Sequence, residues 1–236
     1  MTLRIPDQPA RAIDYTDVRK GITYADVERI CLEARHHRVG AVVVPSALVH
    51  RAAVCLVDVD VAVACYIGYP FGTQAVGVKA REAEVAVAHG ATEIEVVPHY
   101  GAVRAARWEQ VEVELHTVRG TIETATPKLV VELSYLSDDE LTTIARIAAD
   151  AEYALIANTA GFRIVSTRPE TEAQATPEAI ERLVRAAGGR IRPKAVGGIK
   201  TYAEVVRLLE AGAARIAVDA EPGILGRLAE EAEEDR

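Results

Sequence analysis

The stretch "VGVKAREAEVAVAHGATEIEVV", residues 76–97, contains one complete helix-to-strand unit. Apolar residues recur in its first part at three- and four-residue spacing, which predicts an amphipathic helix over residues 75–89. Gly90 ends that helix. The Ile- and Val-rich stretch at residues 92–97 then predicts a strand. A helix that leads directly into such a strand is the repeating unit of a parallel sheet.

The same alternation extends along the chain in both directions from this unit. We predict strands at residues 12–14, 40–44, 61–67, 92–97, 128–133, 153–158, 191–196 and 214–218. Helical spacing predicts helices at residues 24–38, 75–89, 107–123, 138–150, 177–188 and 202–211. Eight strand–helix units in 236 residues fit one α/β domain spanning residues 1–236, a single (β/α)8 TIM barrel.

Composition restricts the classes of partner. The chain has 27 basic and 35 acidic residues and a net charge of −8, which argues against nucleic acid or an anionic membrane as the main partner. No apolar run is long enough for a transmembrane helix, and the start lacks the apolar core of a signal peptide. We therefore expect a cytoplasmic protein with three reduced cysteines. No Cys/His cluster predicts a metal and no dinucleotide fingerprint predicts a cofactor.

Charged residues inside the predicted strands are the strongest functional signal, because an unpaired charge in a barrel is costly. Strand alternation turns Glu93 and Glu95 toward the barrel interior, and by the same rule Lys128 and Glu132 share a face. We predict that a set of charged side chains meets at the barrel mouth: Asp14, Glu95, Lys128, Glu132 and Lys194. A purely structural network of ion pairs is the alternative interpretation. The position of Lys194 at the C-terminal end of its strand favours a functional role over a purely structural one.

These side chains suit proton transfer beside a carbonyl group. A lysine that is desolvated or lies near other cations becomes a nucleophilic amine, and a carboxylate within reach can move protons. His99 follows the Glu95 strand and is a further candidate acid or base. Three tyrosines lie near strand ends, where they either pack in the core or supply a phenol hydroxyl to the site: Tyr66, Tyr69 and Tyr100.

Several motifs together resemble the deoxyribose-phosphate aldolase family, which consists of class I Schiff-base aldolases on a (β/α)8 barrel. The resemblance runs from about residue 12 to residue 226. Its motifs are "IDYT" (13–16, family IDHT), "VVVPSALV" (42–49, family CVNPSYV), "YIGYPFG" (66–72, family IGFPLG), "TEIEVV" (92–97, family DEIDMV), "KLVVEL" (128–133, family KVIIET) and "PKAVGGIKT" (193–201, family VKASGGIRT).

The resemblance implies roles for individual residues. Lys194 matches the family's second lysine, which lowers the pKa of the Schiff-base lysine, and Glu95 matches the proton-shuttling aspartate. The Schiff-base lysine itself, in the family motif VKTSTGF, falls on Ala157 of "LIANTAGF", residues 155–162. Asn158, Thr159 and Arg163 then belong to the candidate substrate-binding residues.

The phosphate site implied by the resemblance is also changed. Gly197 and Gly198 are retained, but the family turn RIGTSS reads "RIAVDAEPG" at residues 215–223, which introduces Asp219 and Glu221. A carboxylate about 4–6 Å from a phosphate costs on the order of 1 kcal/mol or more. We therefore expect that deoxyribose 5-phosphate is not the substrate.

Three hypotheses follow. In the first, Lys194 forms the imine itself, with Glu95 as general acid and base. In the second, Glu95, Glu132 and Lys194 catalyse a retro-aldol step, isomerisation, dehydration or cyclisation without a covalent intermediate. In the third, the protein binds a ligand or partner without catalysis. We expect an enzyme that acts on a small carbonyl compound without a cofactor or a metal ion. The family resemblance further implies a homodimer.

Overall fold

The computed structural model describes residues 9–161 and 174–235 and shows a closed barrel of eight parallel strands. Each strand pairs with the next in chain order, and the last pairs with the first. The strands are β1 (Ile13–Thr16), β2 (Ala41–Val44), β3 (Ala62–Ile67), β4 (Glu93–Val96), β5 (Thr126–Val130), β6 (Leu155–Ala157), β7 (Arg192–Val196) and β8 (Arg215–Asp219). The predicted (β/α)8 barrel is confirmed.

Helices follow the strands around the barrel. Within the described residues they are α1 (Tyr24–His37), α2 (Val49–Cys55), α3 (Val76–Ala88), α4 (Tyr100–Arg104), α5 (Trp108–Thr121), α6 (Asp138–Asp150), α7 (Pro177–Ala187), α8 (Tyr202–Glu210) and α9 (Ile224–Glu234). The six predicted helices are present, with ends within two residues of the prediction. None of the helices described is both long and apolar enough to cross a bilayer.

Side-chain caps fix where several helices begin. The Thr23 hydroxyl accepts the backbone N–H of Asp26, whose carboxylate accepts the Thr23 N–H in return. Ser137 and Glu140 form the same reciprocal pair at α6. Each such cap contributes about 1 kcal/mol, because it satisfies backbone donors that the first helical turn leaves free. The caps therefore set the lengths of the loops that lead out of the barrel mouth.

The fifth strand is the one that differs most from prediction. It begins at Thr126 and ends at Val130, whereas the sequence predicts a strand over residues 128–133. A short 3-10 turn, Leu133–Tyr135, follows instead. Because the strand ends at Val130, the alternation that places Lys128 inside the barrel does not extend to Glu132.

Two apolar clusters form the core. The larger one lies between the strands and the surrounding helices. The smaller one fills the barrel interior and includes Ala64, Tyr66, Val130, Ala157 and Val196. Cys31 and Cys65 are buried and Cys55 is partly buried, and all three are free thiols. The charged side chains inside the barrel are therefore enclosed by apolar neighbours, which makes their pairing a requirement.

Candidate active site

A cluster of buried charges lies inside the barrel, with Asp14 of β1 between two lysines. Asp14 Oδ2 forms an ion pair with Lys194 Nζ at 2.7 Å and accepts a hydrogen bond from Lys128 Nζ at 2.9 Å. Its other oxygen, Oδ1, is paired with Arg215 of β8. These contacts bring together side chains from four strands of the barrel wall: β1, β5, β7 and β8.

Glu95 of β4 is the second carboxylate in contact with Lys194. Its Oε1 accepts a hydrogen bond from Lys194 Nζ and lies 3.4 Å from Lys128 Nζ. Its Oε2 is buried and has no hydrogen-bond partner among the described residues. Glu95 and Lys194 are both 0% exposed. A buried carboxylate with one oxygen held by a lysine and the other oxygen free is suited to accept a proton.

The lower part of the cluster extends toward the N-terminal end of the barrel. Glu93 lies 2.6 Å from Lys128 Nζ and 3.1 Å from a guanidinium nitrogen of Arg215. The cluster therefore combines three carboxylates with three cations, so that its formal charges cancel. Such cancellation is what a buried ionic network needs in order to be stable, and it is also compatible with the structural interpretation.

Mutual contact holds two of these groups in their charged forms. Burial would raise the pKa of Asp14, but the charges of Lys128, Lys194 and Arg215 outweigh burial and hold that pKa well below its ordinary value. Burial would lower the pKa of Lys128, but Asp14, Glu95 and Glu93 raise it above its ordinary value. Lys128 therefore acts as a fixed positive charge beside Glu95 and is not a free amine.

Ala157 lies directly beside Lys194. The two residues are partners in the register between β6 and β7, and Ala157 also pairs with Val130 of β5. Partnered residues of neighbouring parallel strands share a face, so the Ala157 methyl group points into the barrel, where it is fully buried. Of the two strands β6 and β7, only β7 contributes a side-chain amine, which is that of Lys194.

Glu132 lies apart from the lysines, which corrects the prediction that it joins them. Its Oε1 accepts the backbone N–H of Ala160 at 2.8 Å, and its Oε2 accepts the Thr159 hydroxyl at 2.7 Å. Burial raises the pKa of Glu132, and these two hydrogen bonds oppose the rise. Glu132 thus secures the turn after β6, and Thr159 is engaged in the same turn.

Two further candidates have structural partners. The Asn158 side chain bonds the backbone of Val196 twice, donating from Nδ2 at 3.0 Å and accepting at Oδ1 at 2.7 Å. His99 Nδ1 accepts the N–H of Ala102 at 2.9 Å and thereby caps α4. A substrate that contacts the Asn158 amide has to compete with these backbone bonds, and the roles of both residues toward substrate stay predictions.

A cleft of about 1210 Å³ opens at the C-terminal ends of the strands. Its walls include Tyr69, Gly161 and three acidic residues, Asp17, Asp219 and Glu221. Burial raises the pKa of Asp219, and the nearby charge of Glu221 raises it further. Arg19 and Lys20 also line the cleft, and Arg19 lies 3.1 Å from Asp17, so the negative charge of the cleft centres on Asp219 and Glu221.

The remaining predicted residues lie around the same end of the barrel. Gly197 and Gly198 follow β7 with φ of 110° and 74°, a region that strains any residue with a Cβ. Arg163 lies outside the described residues, as does most of the loop after β6. Among residues 9–161 and 174–235, no group of three or more His, Cys, Asp or Glu side chains is arranged to hold a metal ion.

Sequence reasoning did not select Arg215, which holds Asp14 and Glu93 together. The alternation in β8 was a usable signal, because Arg215 and Ala217 share the inner face. The sequence also did not predict the buried ion pair of Lys79 and Glu114, which joins α3 to α5. These two residues lie on helices, where charged side chains are usually solvated, so nothing in the sequence set them apart.

Comparison with known proteins finds relatives and a solved structure that are all named aldolases. The chain is 33% identical over 211 residues to a deoxyribose-phosphate aldolase of Carboxydothermus hydrogenoformans, covering 88% of this chain and 89% of the relative. It is 30% identical to the enzyme of the same name from Deinococcus radiodurans, covering 92% and 94%. A solved structure called "QR15, an Aldolase" superposes with a TM-score of 0.85 at 29% identity over 97% of both chains. No family model matches the chain.

Proposed function

This chain belongs to the deoxyribose-phosphate aldolase family, and we propose that it acts on a small carbonyl compound by acid–base chemistry without a Schiff base. The reaction is an aldol-type cleavage of a C–C bond or a related isomerisation, dehydration or cyclisation. One observation carries the proposal: Lys194 and Glu95 are in contact inside the barrel, and Glu95 Oε2 is free.

The pair can divide the chemistry between its two members. Glu95 takes a proton from the substrate hydroxyl or from the carbon beside the carbonyl. Lys194 has three N–H donors and two carboxylate partners, Glu95 and Asp14, so it keeps a donor for a carbonyl oxygen. Preorganised donors of this kind stabilise developing negative charge in a dry site. Asp14 supports the arrangement by fixing the position of Lys194.

The walls of the cleft argue for a substrate without a phosphate group. Asp17, Asp219 and Glu221 all line the cleft. Arg19 is paired with Asp17 and Lys200 lies 3.4 Å from Glu221, which leaves Asp219 as the acidic lining residue without an ion-pair partner among the described residues. A hydroxylated or neutral carbonyl compound avoids the repulsion that a phosphate dianion meets there. We therefore propose that deoxyribose 5-phosphate is not the main substrate.

A second candidate is imine formation on Lys194 itself. The observation in its favour is that alanine occupies position 157. Of the two register partners Ala157 and Lys194, only Lys194 carries an amine. Against it stand the ion pairs of Lys194 with two carboxylates, Asp14 and Glu95, which an attack of the amine on a carbonyl carbon has to break. Binding without catalysis is the remaining alternative, since a neutral, fully buried network also suits a purely structural role.

Exchange of carbon-bound protons in D2O tests the proposal. We suggest following deuterium incorporation beside the carbonyl of propanal, acetone and dihydroxyacetone by NMR, with wild type, Glu95→Gln and Glu93→Gln. The two variants remove the same charge from the same inner face of β4, but only Glu95 touches Lys194. Wild type should exchange at least one probe, and Glu95→Gln should slow that exchange by about 10²–10⁴-fold.

The Glu93→Gln control separates chemistry from charge balance. We expect it to lower stability while exchange stays within about threefold of wild type, because among the described residues the ion-pair partners of Glu93 are Lys128 and Arg215. Equal losses in both variants would assign the effect to the whole network, and no exchange by wild type would favour binding without catalysis.

We further propose that the enzyme is cytoplasmic and homodimeric.

A further inference from the structure

Tyr66 of β3 lies beside Glu95 of β4 in the barrel wall. The two residues are partners in the register between β3 and β4, so both point inward. Tyr66 is 3% exposed and belongs to the apolar cluster inside the barrel, together with Ala157 and Val130. Its phenol therefore lies within the same enclosed space as the charged pair.

The surroundings of the Tyr66 hydroxyl keep it protonated. Burial raises its pKa well above the ordinary value, and Glu95 raises it further through its charge and its interaction with the hydroxyl, with contributions from Tyr69 and Asp14. As register partners, Tyr66 and Glu95, one of the two carboxylates that hold Lys194, lie side by side. Such a phenol does not give up its proton in the resting enzyme, but it can donate a hydrogen bond to another oxygen.

Two other tyrosines direct their hydroxyls to the protein backbone. The Tyr100 hydroxyl donates to the Val130 carbonyl at 3.0 Å, and the Tyr153 hydroxyl donates to the Leu115 carbonyl at 3.3 Å. No backbone carbonyl of the described residues accepts from Tyr66, which has Glu95 beside it instead. The Tyr66 hydroxyl is therefore not committed to holding the fold together.

The proposed chemistry lacks an electron sink. An imine withdraws electrons from the bond that breaks, whereas a free carbonyl oxygen must carry negative charge and needs donors nearby. We propose that Tyr66 is a further catalytic residue, whose hydroxyl donates a hydrogen bond to the substrate carbonyl oxygen as that charge develops. This inference rests on the proposed function of Glu95 and Lys194.

The step balances without any co-reactant. In a retro-aldol cleavage, Glu95 takes the proton of the β-hydroxyl group, and that oxygen forms the new aldehyde as the C–C bond breaks. The electron pair of that bond moves onto the carbonyl oxygen, where Tyr66 and Lys194 donate hydrogen bonds. The enolate carbon then takes the proton back from Glu95, while the Tyr66 proton stays on Tyr66. No group is oxidised or reduced.

A neighbouring ring connects Tyr66 to the cleft. The rings of Tyr66 and Tyr69 lie with centroids 4.9 Å apart and planes tilted by 46°. Tyr69 lines the cleft at the C-terminal end of the barrel, with Gly161 among the other lining residues. Tyr66 is therefore one ring away from the cleft wall and is at the same time the register partner of Glu95.

The test compares Tyr66→Phe with Tyr153→Phe, since both substitutions remove one buried hydroxyl and keep the ring. Deuterium exchange into the same three carbonyl probes is measured over a range of concentrations. Tyr66→Phe should lower kcat by about 100-fold and leave KM within about threefold, because the hydrogen bond forms only as charge develops. Tyr153→Phe should retain wild-type rates, because Tyr153 lies outside the barrel interior.

A second measurement does not depend on turnover. With ¹³Cζ-labelled tyrosine, the NMR signal of Tyr66 is assigned by its loss in Tyr66→Phe and then compared at one pH between wild type, Glu95→Gln and Glu93→Gln. Loss of the Glu95 charge should shift the Tyr66 signal more than loss of the Glu93 charge does, because Glu95 is the register partner of Tyr66. Equal shifts in the two variants, or no shift in either, would overturn the inference, because the phenol would then not face Glu95.

The outcomes distinguish the two proposals. If Glu95→Gln abolishes exchange while Tyr66→Phe stays within about threefold of wild type, the role of Tyr66 is wrong and the proposed function stands. If wild type exchanges none of the probes, the proposed function fails and the inference fails with it. A loss of kcat in Tyr66→Phe that is matched by Tyr153→Phe would show a structural effect and also overturn the inference.

Discussion

Ala157 and Lys194 are register partners on β6 and β7, with both side chains turned into the barrel. The position that the family resemblance assigns to the Schiff-base lysine thus holds a methyl group directly beside the retained lysine. By that resemblance, the buried charges of the barrel are retained while the attacking amine is replaced. This pairing is the reason for proposing acid–base chemistry in a member of an aldolase family.

Ala157→Lys should place a fourth cation in a network whose charges otherwise cancel. The neighbouring positive charges lower the pKa of the introduced amine, which makes it a better nucleophile. We expect borohydride to trap an adduct with propanal at residue 157, detected by mass spectrometry, without efficient cleavage of deoxyribose 5-phosphate. Ala157→Met is the matched control for side-chain volume.

Efficient cleavage of deoxyribose 5-phosphate by Ala157→Lys alone would contradict the weight that we give to Asp219. Absence of any adduct at residue 157 would show that the space beside Lys194 does not admit a carbonyl compound.

Asp219→Ser should improve phosphate binding at the cleft. Removing a carboxylate about 4–6 Å from the phosphate relieves on the order of 1 kcal/mol of repulsion, which corresponds to about fivefold in Kd. Isothermal titration calorimetry with inorganic phosphate measures the change. Glu210→Ser, an exposed residue at the end of α8, is the control and should leave phosphate binding as in wild type. Equal Kd values for both variants would contradict a role of Asp219 in excluding phosphate.

Asp14 should make the protein sensitive to acid. Its pKa is lower in the folded state than the value of about 3.9 of an unfolded aspartate, so its stabilising contribution is complete above about pH 4. Below that pH the unfolded chain binds the proton first, and stability is lost as pH falls. Urea unfolding at pH 5, 4 and 3 should show a steeper loss for wild type than for Asp14→Asn, although the variant is less stable at pH 5. Parallel losses would contradict the assignment.

Glu114→Gln should destabilise the fold, because it leaves Lys79 charged and buried between α3 and α5. Removing one partner of a buried ion pair costs about 3–5 kcal/mol. We expect a smaller loss in the free energy of unfolding for the double variant Lys79→Met/Glu114→Leu, measured by urea titration. A double variant that is less stable than the single one would contradict this explanation.

The fold was predictable because its signals are local. The helix and strand of residues 76–97 each carry their own periodicity, and the caps at Thr23 and Ser137 mark helix starts by residue type alone. The end of β5 was not predictable in this way. Glu132 leaves the strand to bind Thr159 and Ala160, and those partners come from a different segment of the chain.

The site was predictable where strand alternation applies. Asp14, Glu95, Lys128 and Lys194 face inward as expected, because each lies within a regular strand. Alternation does not reveal which oxygen lacks a partner or which phenol lies beside it. The free Oε2 of Glu95 and the position of Tyr66 depend on how side chains from different strands fill one interior.

Borohydride reduction during turnover tests the central claim most directly. The wild-type enzyme is mixed with the carbonyl probe that shows the fastest deuterium exchange, reduced with borohydride, digested and examined by mass spectrometry, with Ala157→Lys as the positive control. The account predicts proton exchange by wild type with no adduct on any lysine. A reduced adduct on Lys194 that forms as fast as exchange would contradict it and establish the imine mechanism instead.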